Sequence, residues 1–197
     1  MVNIILASKS KIRAKILNNN GINCTVVPSN VDENIIKETL TKKKISPEIV
    51  SKNLAELKAR KVSQINHGKI VIGADSLIDL NGKIISKPRD RKEAIKILKN
   101  LNNKTHYLIS SVAVFKDSNM IWNLTDKAKL TMKNFSDQEL EEYLKKISDD
   151  DLYAYNVYQI EGLGKSLFFK IEGDYETIMG LPVKKIKDYF KTLDILK

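Results

Sequence analysis

The sequence predicts a mixed α/β protein, and three observations carry that prediction. Short apolar runs alternate with stretches of helical spacing, as where Asn3 to Ala7 is followed by Ser8 to Gly21. Asn81-Gly82 sits between two extended runs and signals a hairpin. Tyr107 to Phe115 and Trp122 to Met132 are β-branched and alternating, so the middle of the chain reads as strand pairs. No repeat, low-complexity linker or Pro/Gly-rich boundary divides the 197 residues, which suffice for one domain or for two small lobes sharing a core. The expectation is one α/β unit with a mixed sheet, bent into two lobes about a cleft.

Taken in order, NIILA at residues 3 to 7 is a buried strand, and SKSKIRAKILNNNG is a helix closing at Gly21. Cys24 to Pro28 forms a second strand, and SNVDEN after it has turn chemistry. Val50, Leu54, Leu57 and Val62 share a helical face over residues 49 to 62. Lys69 to Ile72 is a strand leading into Gly73-Ala74-Asp75, and Leu77 to Leu80 continues extended. A helix spans Asp90 to Leu101, and the Ser136 capping box SDQE opens another that ends near Lys146. GLGKSLFFKIEGDY reads as a glycine-bounded strand, and Pro182 stands in the first turn of an amphipathic closing helix.

Composition excludes several function classes. No apolar run approaches the roughly 18 residues that span a bilayer, and MVNIILASKS lacks the basic start of a signal peptide, so a cytoplasmic protein with no membrane partner is expected. A single Cys24 with only His67 and His106 leaves no Cys/His zinc cluster. Any metal would be carboxylate-held, which favours Mg2+ or Mn2+. The net charge of +10 is nearly all scattered lysine, Arg13, Arg60, Arg89 and Arg91 being the only arginines. No basic-aromatic alternation accompanies it, so it reads as a solvated surface with no specific nucleic-acid partner, compatible with a polyanionic substrate.

Several residues stand out chemically. Ser8, Ser10 and Arg13 lie at a strand-to-helix junction, where unpaired helix N–H groups favour anions. Ser10 or Ser8 can cap that helix while Arg13 reaches back toward an anion, but the motif by itself favours a plain N-cap with a surface arginine. Asp32-Glu33 suits either a solvated turn or a magnesium site. Lys58 lies on a helix whose neighbours point inward, where most lysines snorkel to the surface. Asp75 ends an apolar run with little sequence around it to make an exposed loop: it is a turn cap, or a carboxylate that activates water or holds a metal. Lys87, fixed in extended geometry by Pro88, is a surface lysine or a point charge aimed at phosphate. Glu161 is a strand-end charge or an acceptor for the ring N–H and amino group of a guanine-like base.

In sequence order, ILASKSKIRAKIL, VDE at 31 to 33, AELKARKV at 55 to 62, VIGADSL at 71 to 77, GKIISKPRD at 82 to 90 and IEGDYETIMGLPV at 171 to 183 resemble the Maf family of nucleoside triphosphate pyrophosphatases. The resemblance covers nearly the whole chain. It implies a Maf/ITPase-like, strongly bent mixed sheet flanked by helices, with two lobes around a substrate cleft in an often dimeric protein, hence a homodimer. It also implies hydrolysis of a nucleoside triphosphate to monophosphate and pyrophosphate with a divalent metal. Asp75 matches the family's catalytic acid, Ser10, Arg13, Lys58 and Lys87 its triphosphate-contacting positions, and Glu33 a carboxylate associated with the metal, which Asp75 would share. Ser8 joins them as a substrate-binding candidate.

Departures bear on the base. The branch resembling dTTP/UTP pyrophosphatases has Ser-Pro-Arg-Arg where this chain has Ser10-Lys11-Ile12-Arg13, and Asp-Lys-Ala-Gly with a Gln where Tyr153-Ala154-Tyr155-Asn156 and Glu161 align. An apolar Ile12 and an acidic Glu161 look more like the 7-methyl-GTP branch, whose aromatic at position 12 is nevertheless absent. Ser76, at the third specificity position, matches neither. The reading leans to a modified, guanine-type nucleotide; the alternatives are a dTTP/UTP pyrophosphatase and a non-catalytic regulator of septum formation and cell division.

Overall fold

The computed structural model describes residues 3–149, 152 and 157–196. Its sheet has seven strands, β1 (Ile4–Leu6), β2 (Cys24–Val26), β3 (Ile70–Leu80), β4 (Lys83–Ile85), β5 (Thr105–Lys116), β6 (Asn119–Met132) and β7 (Phe168–Glu172), in the order β2-β1-β3-β5-β6-β7 with β4 paired to β3. The β1–β2 and β1–β3 pairs are parallel, and β3–β4 and β6–β7 are antiparallel, so the predicted mixed α/β class holds. The helices are α1 (Lys11–Asn19), α2 (Glu33–Lys42), α3 (Pro47–Ser63), α4 (Arg91–Leu101), α5 (Asp137–Lys145), the short α6 (Tyr175–Ile178) and α7 (Val183–Thr192). The chain divides into two compact units, one of residues 1–76, 109–126 and 174–197 and one of residues 77–108 and 127–173.

The first unit is layered by the two-residue period of its strands. Ile4, Leu6, Ile70, Ile72, Ala74, Val112 and Val114 pack against Ile16 and Leu17 of α1 and against Val183, Ile186 and Phe190 of α7. The alternate residues Ile5, Ala7, Val71, Ala113 and Phe115 pack against Ala55, Ala59 and Val62 of α3. A sheet covered on both faces needs apolar residues at every position, which is why VIGA reads as a continuous run rather than an alternating one. The β5–β6 hairpin closes at Asp117 and Ser118, both with positive φ, and Asp117 Oδ1 accepts from the Gly68 N–H.

In the second unit the Asn81-Gly82 hairpin forms as expected, with φ of 54° and 79° and the buried Asp79 carboxylate accepting from the Gly82 N–H at 2.7 Å. Both halves of the Ser136–Glu139 capping box are made. Arg91 donates to the Leu144 and Ile147 carbonyls, both at 2.6 Å, and so ties α4 to the end of α5. Two expectations need correction. Residues 29–34 are not simply a turn, because α2 begins at Glu33 behind an Asp32 cap. The strand expected across GLGKSLFFKIEGDY is only Phe168–Glu172; Leu163–Leu167 is a 3-10 helix, into whose first turn a Cβ on Gly164 would drive against the Gln159 backbone. No helix among the described residues is long and apolar enough to cross a membrane.

His106 is fully buried in this unit, with Nε2 at 2.8 Å from the Tyr158 hydroxyl and Nδ1 unpartnered among the described residues. Burial pushes its pKa from 6.5 down to about 4. The folded protein thus refuses a proton that the unfolded chain takes up near pH 6.5. The associated stability is complete above that pH and is lost as pH falls toward 4, by up to about 3 kcal/mol. Urea midpoints measured from pH 7 to pH 4 should fall more steeply for wild type than for His106→Gln; parallel curves would remove His106 as the cause.

Candidate active site

Strand parity places the catalytic candidate. Val71, Gly73 and Asp75 point to the α3 face of β3, whereas Ile72, Ala74 and Ser76 point to the α1 and α7 face. On the α3 side a Cβ on Gly73 would overlap the Ala55 carbonyl oxygen and lie 2.6 Å from the Ala59 nitrogen. Only glycine permits so close an approach of strand and helix. One residue after Ala74, and one before Ala59 on the helix, Asp75 and Lys58 therefore meet in the gap: Lys58 Nζ is 2.8 Å from Asp75 Oδ1, with the residues 4% and 2% exposed. Asp75 is accordingly neither a strand end nor a turn cap but an interior residue of β3, and Lys58 is not a snorkelling surface lysine. The second Asp75 oxygen, Oδ2, is buried without a hydrogen-bond partner among the described residues.

The same ammonium reaches a second carboxylate, Glu33 Oε1 at 2.8 Å, and the Ala74 carbonyl at 3.4 Å. All three Lys58 N–H groups thus have acceptors. Asp32 caps α2 through its side chain, accepting from the Ile35 N–H, and so presents Glu33 in the first helical turn. Burial raises the Glu33 pKa, but Lys58 and Lys37 together outweigh it and hold the carboxyl below the usual range. No group of three or more His, Cys, Asp or Glu converges among the described residues. Magnesium and manganese need fewer protein ligands, since water and phosphate oxygens complete their shells. The hard oxygens of Asp75 and Glu33, one of them an orphaned buried atom, fit such an ion.

On the opposite face, Ser10 is the N-cap of α1, its Oγ accepting from the Arg13 N–H at 3.3 Å. The buried Ser8 hydroxyl accepts from the Ser10 N–H at 3.2 Å. The Arg13 guanidinium is fastened on several sides, donating to Gly180 O at 3.0 Å, Ala74 O at 2.8 Å, Ser76 Oγ at 2.9 Å and Ser8 Oγ at 3.4 Å. Burial lowers the Arg13 pKa, and the charges of Asp75 and Glu33 oppose that shift. Four of its five N–H groups are engaged, so most of the fork expected to reach an anion is spent on the protein.

Ser76 extends this network to residues that sequence reasoning missed. Its Oγ is 3.0 Å from Ser110 Oγ, Ser110 donates to the Thr177 carbonyl at 2.7 Å, and Thr177 Oγ1 donates to Asp126 at 2.6 Å. Gly180 closes the circuit with φ +92°, and a Cβ there would stand 2.8 Å from Ser76 Oγ. Gly180→Ala should therefore cost about 1–3 kcal/mol in denaturant unfolding, through the strained φ and the displaced hydroxyl. An unchanged midpoint would contradict this.

The family model described as Maf-like protein matches residues 3–193. The chain belongs to the Maf family. It is 67% identical over 190 residues to a nucleoside triphosphate pyrophosphatase of Pelagibacter ubique, covering 96% of this chain and 97% of the relative. It is 41% identical to a nucleoside triphosphate pyrophosphatase of Paramagnetospirillum magneticum, covering 95% and 96%, and 37% identical to a 7-methyl-GTP pyrophosphatase of Brucella abortus, covering 92% of each. Among solved structures, a nucleoside-triphosphatase, or dITP/XTP pyrophosphatase, of Mycobacterium abscessus matches with 14% identity and a TM-score of 0.45, covering 98% of this chain and 94% of that one.

Of the remaining candidates in this Maf-family chain, Ile12 belongs to the first unit and Lys87 and Glu161 to the second. Ile12 is half-buried on α1 and packs on the α1/α7 side of the core. Lys87 and Glu161 belong to the second unit and are both exposed, Lys87 before the buried Pro88 and Glu161 ahead of the 3-10 helix. The aligned Tyr153-Ala154-Tyr155-Asn156 segment lies outside the described residues. The first unit alone thus gathers Ser8, Ser10, Arg13, Glu33, Lys58, Asp75 and Ser76 around the Ala74–Asp75 peptide.

Proposed function

We propose that this chain hydrolyses a nucleoside triphosphate to the monophosphate and pyrophosphate, with Asp75 as the group that readies water. The observation that carries the reading is the buried Asp75 carboxylate, paired through Oδ1 to Lys58 and, among the described residues, without a hydrogen-bond partner at Oδ2. Membership of the Maf family and the names borne by its relatives support it. A carboxylate held in this way has one oxygen anchored and one able to accept a proton.

In the reaction the water oxygen attacks the α-phosphorus while its proton passes to Asp75. The bond from the α-phosphorus to the bridging oxygen breaks, and pyrophosphate departs with the electron pair. A magnesium or manganese ion on Asp75 and Glu33 would supply neutralisation of phosphate charge. The cations Lys58 and Arg13 and the α1 N-terminus, capped by Ser10 beside Ser8, favour the same accumulation of negative charge without reorganising. Lys87, which is exposed, is offered as a further phosphate contact. Glu161 is offered as the acceptor for a guanine-type base, with Ile12 and Ser76 as the other specificity positions. A cytoplasmic homodimer is the assembly this reading takes.

The test is pyrophosphate release from UTP, dTTP, GTP and 7-methyl-GTP with magnesium or manganese. Turnover with a guanine preference is expected. A clear pyrimidine preference would overturn the base assignment, and no turnover on any triphosphate would favour the non-catalytic regulatory role.

A further inference from the structure

We infer that the Lys58 ammonium holds the place of the divalent cation between Asp75 and Glu33 until nucleotide arrives, so that metal enters only together with the triphosphate. This rests on the functional reading above and concerns the order in which that site fills.

The geometry is that of a cation bridge. Lys58 Nζ stands 2.8 Å from Asp75 Oδ1 and 2.8 Å from Glu33 Oε1, so the ammonium already lies between the two carboxylates that would hold a dication. A dication held by the same carboxylates would contend with the ammonium for that gap. One cation must leave before the other enters. Charge makes the exchange conditional: the two carboxylates are balanced by Lys58 and Arg13, and Lys37 adds a third positive group 3.4 Å from Glu33. A centre that is neutral to positive has little attraction for a free dication. A triphosphate reverses the balance, and its oxygens offer the three Lys58 N–H groups new acceptors, releasing Asp75 Oδ1 and Glu33 Oε1.

The device also accounts for how α2 is held. That helix has no fully buried residue and leaves Ile35 62% exposed, with Ile36 and Leu40 only half-buried. Its ion pair with the buried Lys58 is a specific tether, and exchange of ammonium for metal keeps Glu33 in place rather than freeing the helix.

The experiment is a titration with Mn2+ alone, followed by the EPR signal of the free ion, on wild type, Lys58→Gln and Lys58→Gln/Glu33→Gln. Lys58→Gln should bind Mn2+ about tenfold or more tighter than wild type, within the usual span of coupling between two ligands. The added Glu33→Gln should abolish the gain. Equal binding by wild type and folded Lys58→Gln would overturn the inference. Should Lys58→Gln not fold, thermal melts of wild type decide: Mn2+ alone should leave Tm unchanged, and Mn2+ with an α,β-methylene triphosphate should raise it. A rise with Mn2+ alone would contradict the proposal. Pyrophosphate release by wild type is measured separately, so failure of the metal exchange and failure of the enzymatic reading stay distinct.

Discussion

Asp75→Asn should lower pyrophosphate release by about 10²–10⁴-fold, the range that a positioned general base contributes. The substitution is nearly isosteric, so β3 and its close contact with α3 at Gly73 stay intact. What changes is the chemistry at one atom, since an amide cannot take up the proton that a carboxylate accepts. The loss should lie in kcat rather than KM, because the interaction with water is used in the transition state. A far-ultraviolet spectrum like that of wild type, and a melting point that stays above the assay temperature although Lys58 is then paired to Glu33 alone, must accompany the loss. An Asp75→Asn variant with wild-type kcat would remove this residue from the proton transfer.

Lys58→Met has the other large effect, and it falls on stability. Removing one member of a buried ion pair strands the other, a change worth roughly 3–5 kcal/mol. Here the stranded partner is Asp75, 2% exposed, while the more exposed Glu33 recovers water. Against an ordinary total of about 5–15 kcal/mol such a loss is severe. Urea unfolding in the presence of EDTA, which excludes rescue by metal, should show the drop. Lys58→Met/Asp75→Asn should recover part of it, since neither charge then lies buried alone. A Lys58→Met midpoint equal to wild type would mean that the pair does not carry the stability assigned to it.

What the sequence revealed and what it hid follow from the range of the interactions involved. Asn81-Gly82 and the Ser136 capping box are local chemistry, complete within four residues, and both form as read. The helix over 49–62 was legible because Val50, Leu54 and Val62 bury one face, although Leu57, expected on it, is 38% exposed; α2 was not, because its apolar face is only the half-buried Ile36 and Leu40 and no residue of it is fully buried. Asp75 was legible as a buried carboxylate but was expected at the end of an apolar run rather than inside a strand. Gly73 instead admits α3, and β3 runs on to Leu80. Ser110 gave no signal, and Thr177 and Gly180 lay in the matched 171–183 stretch without a role of their own. Ser110 and Gly180 meet Ser76 across 34 and 104 positions of chain, Thr177 joins through Ser110, and no local pattern encodes that.

The α–β position of cleavage and the part played by Asp75 can be tested in one experiment. Wild type and Asp75→Asn are incubated with a nucleoside triphosphate and divalent metal in 18O-labelled water, and the products are analysed by mass spectrometry. Wild type should place a single label in the nucleoside monophosphate and none in pyrophosphate, with labelled product nearly absent from Asp75→Asn. Label in pyrophosphate or in orthophosphate, or equal labelling by the two proteins, would contradict hydrolysis at the α-phosphorus with Asp75 as the proton acceptor.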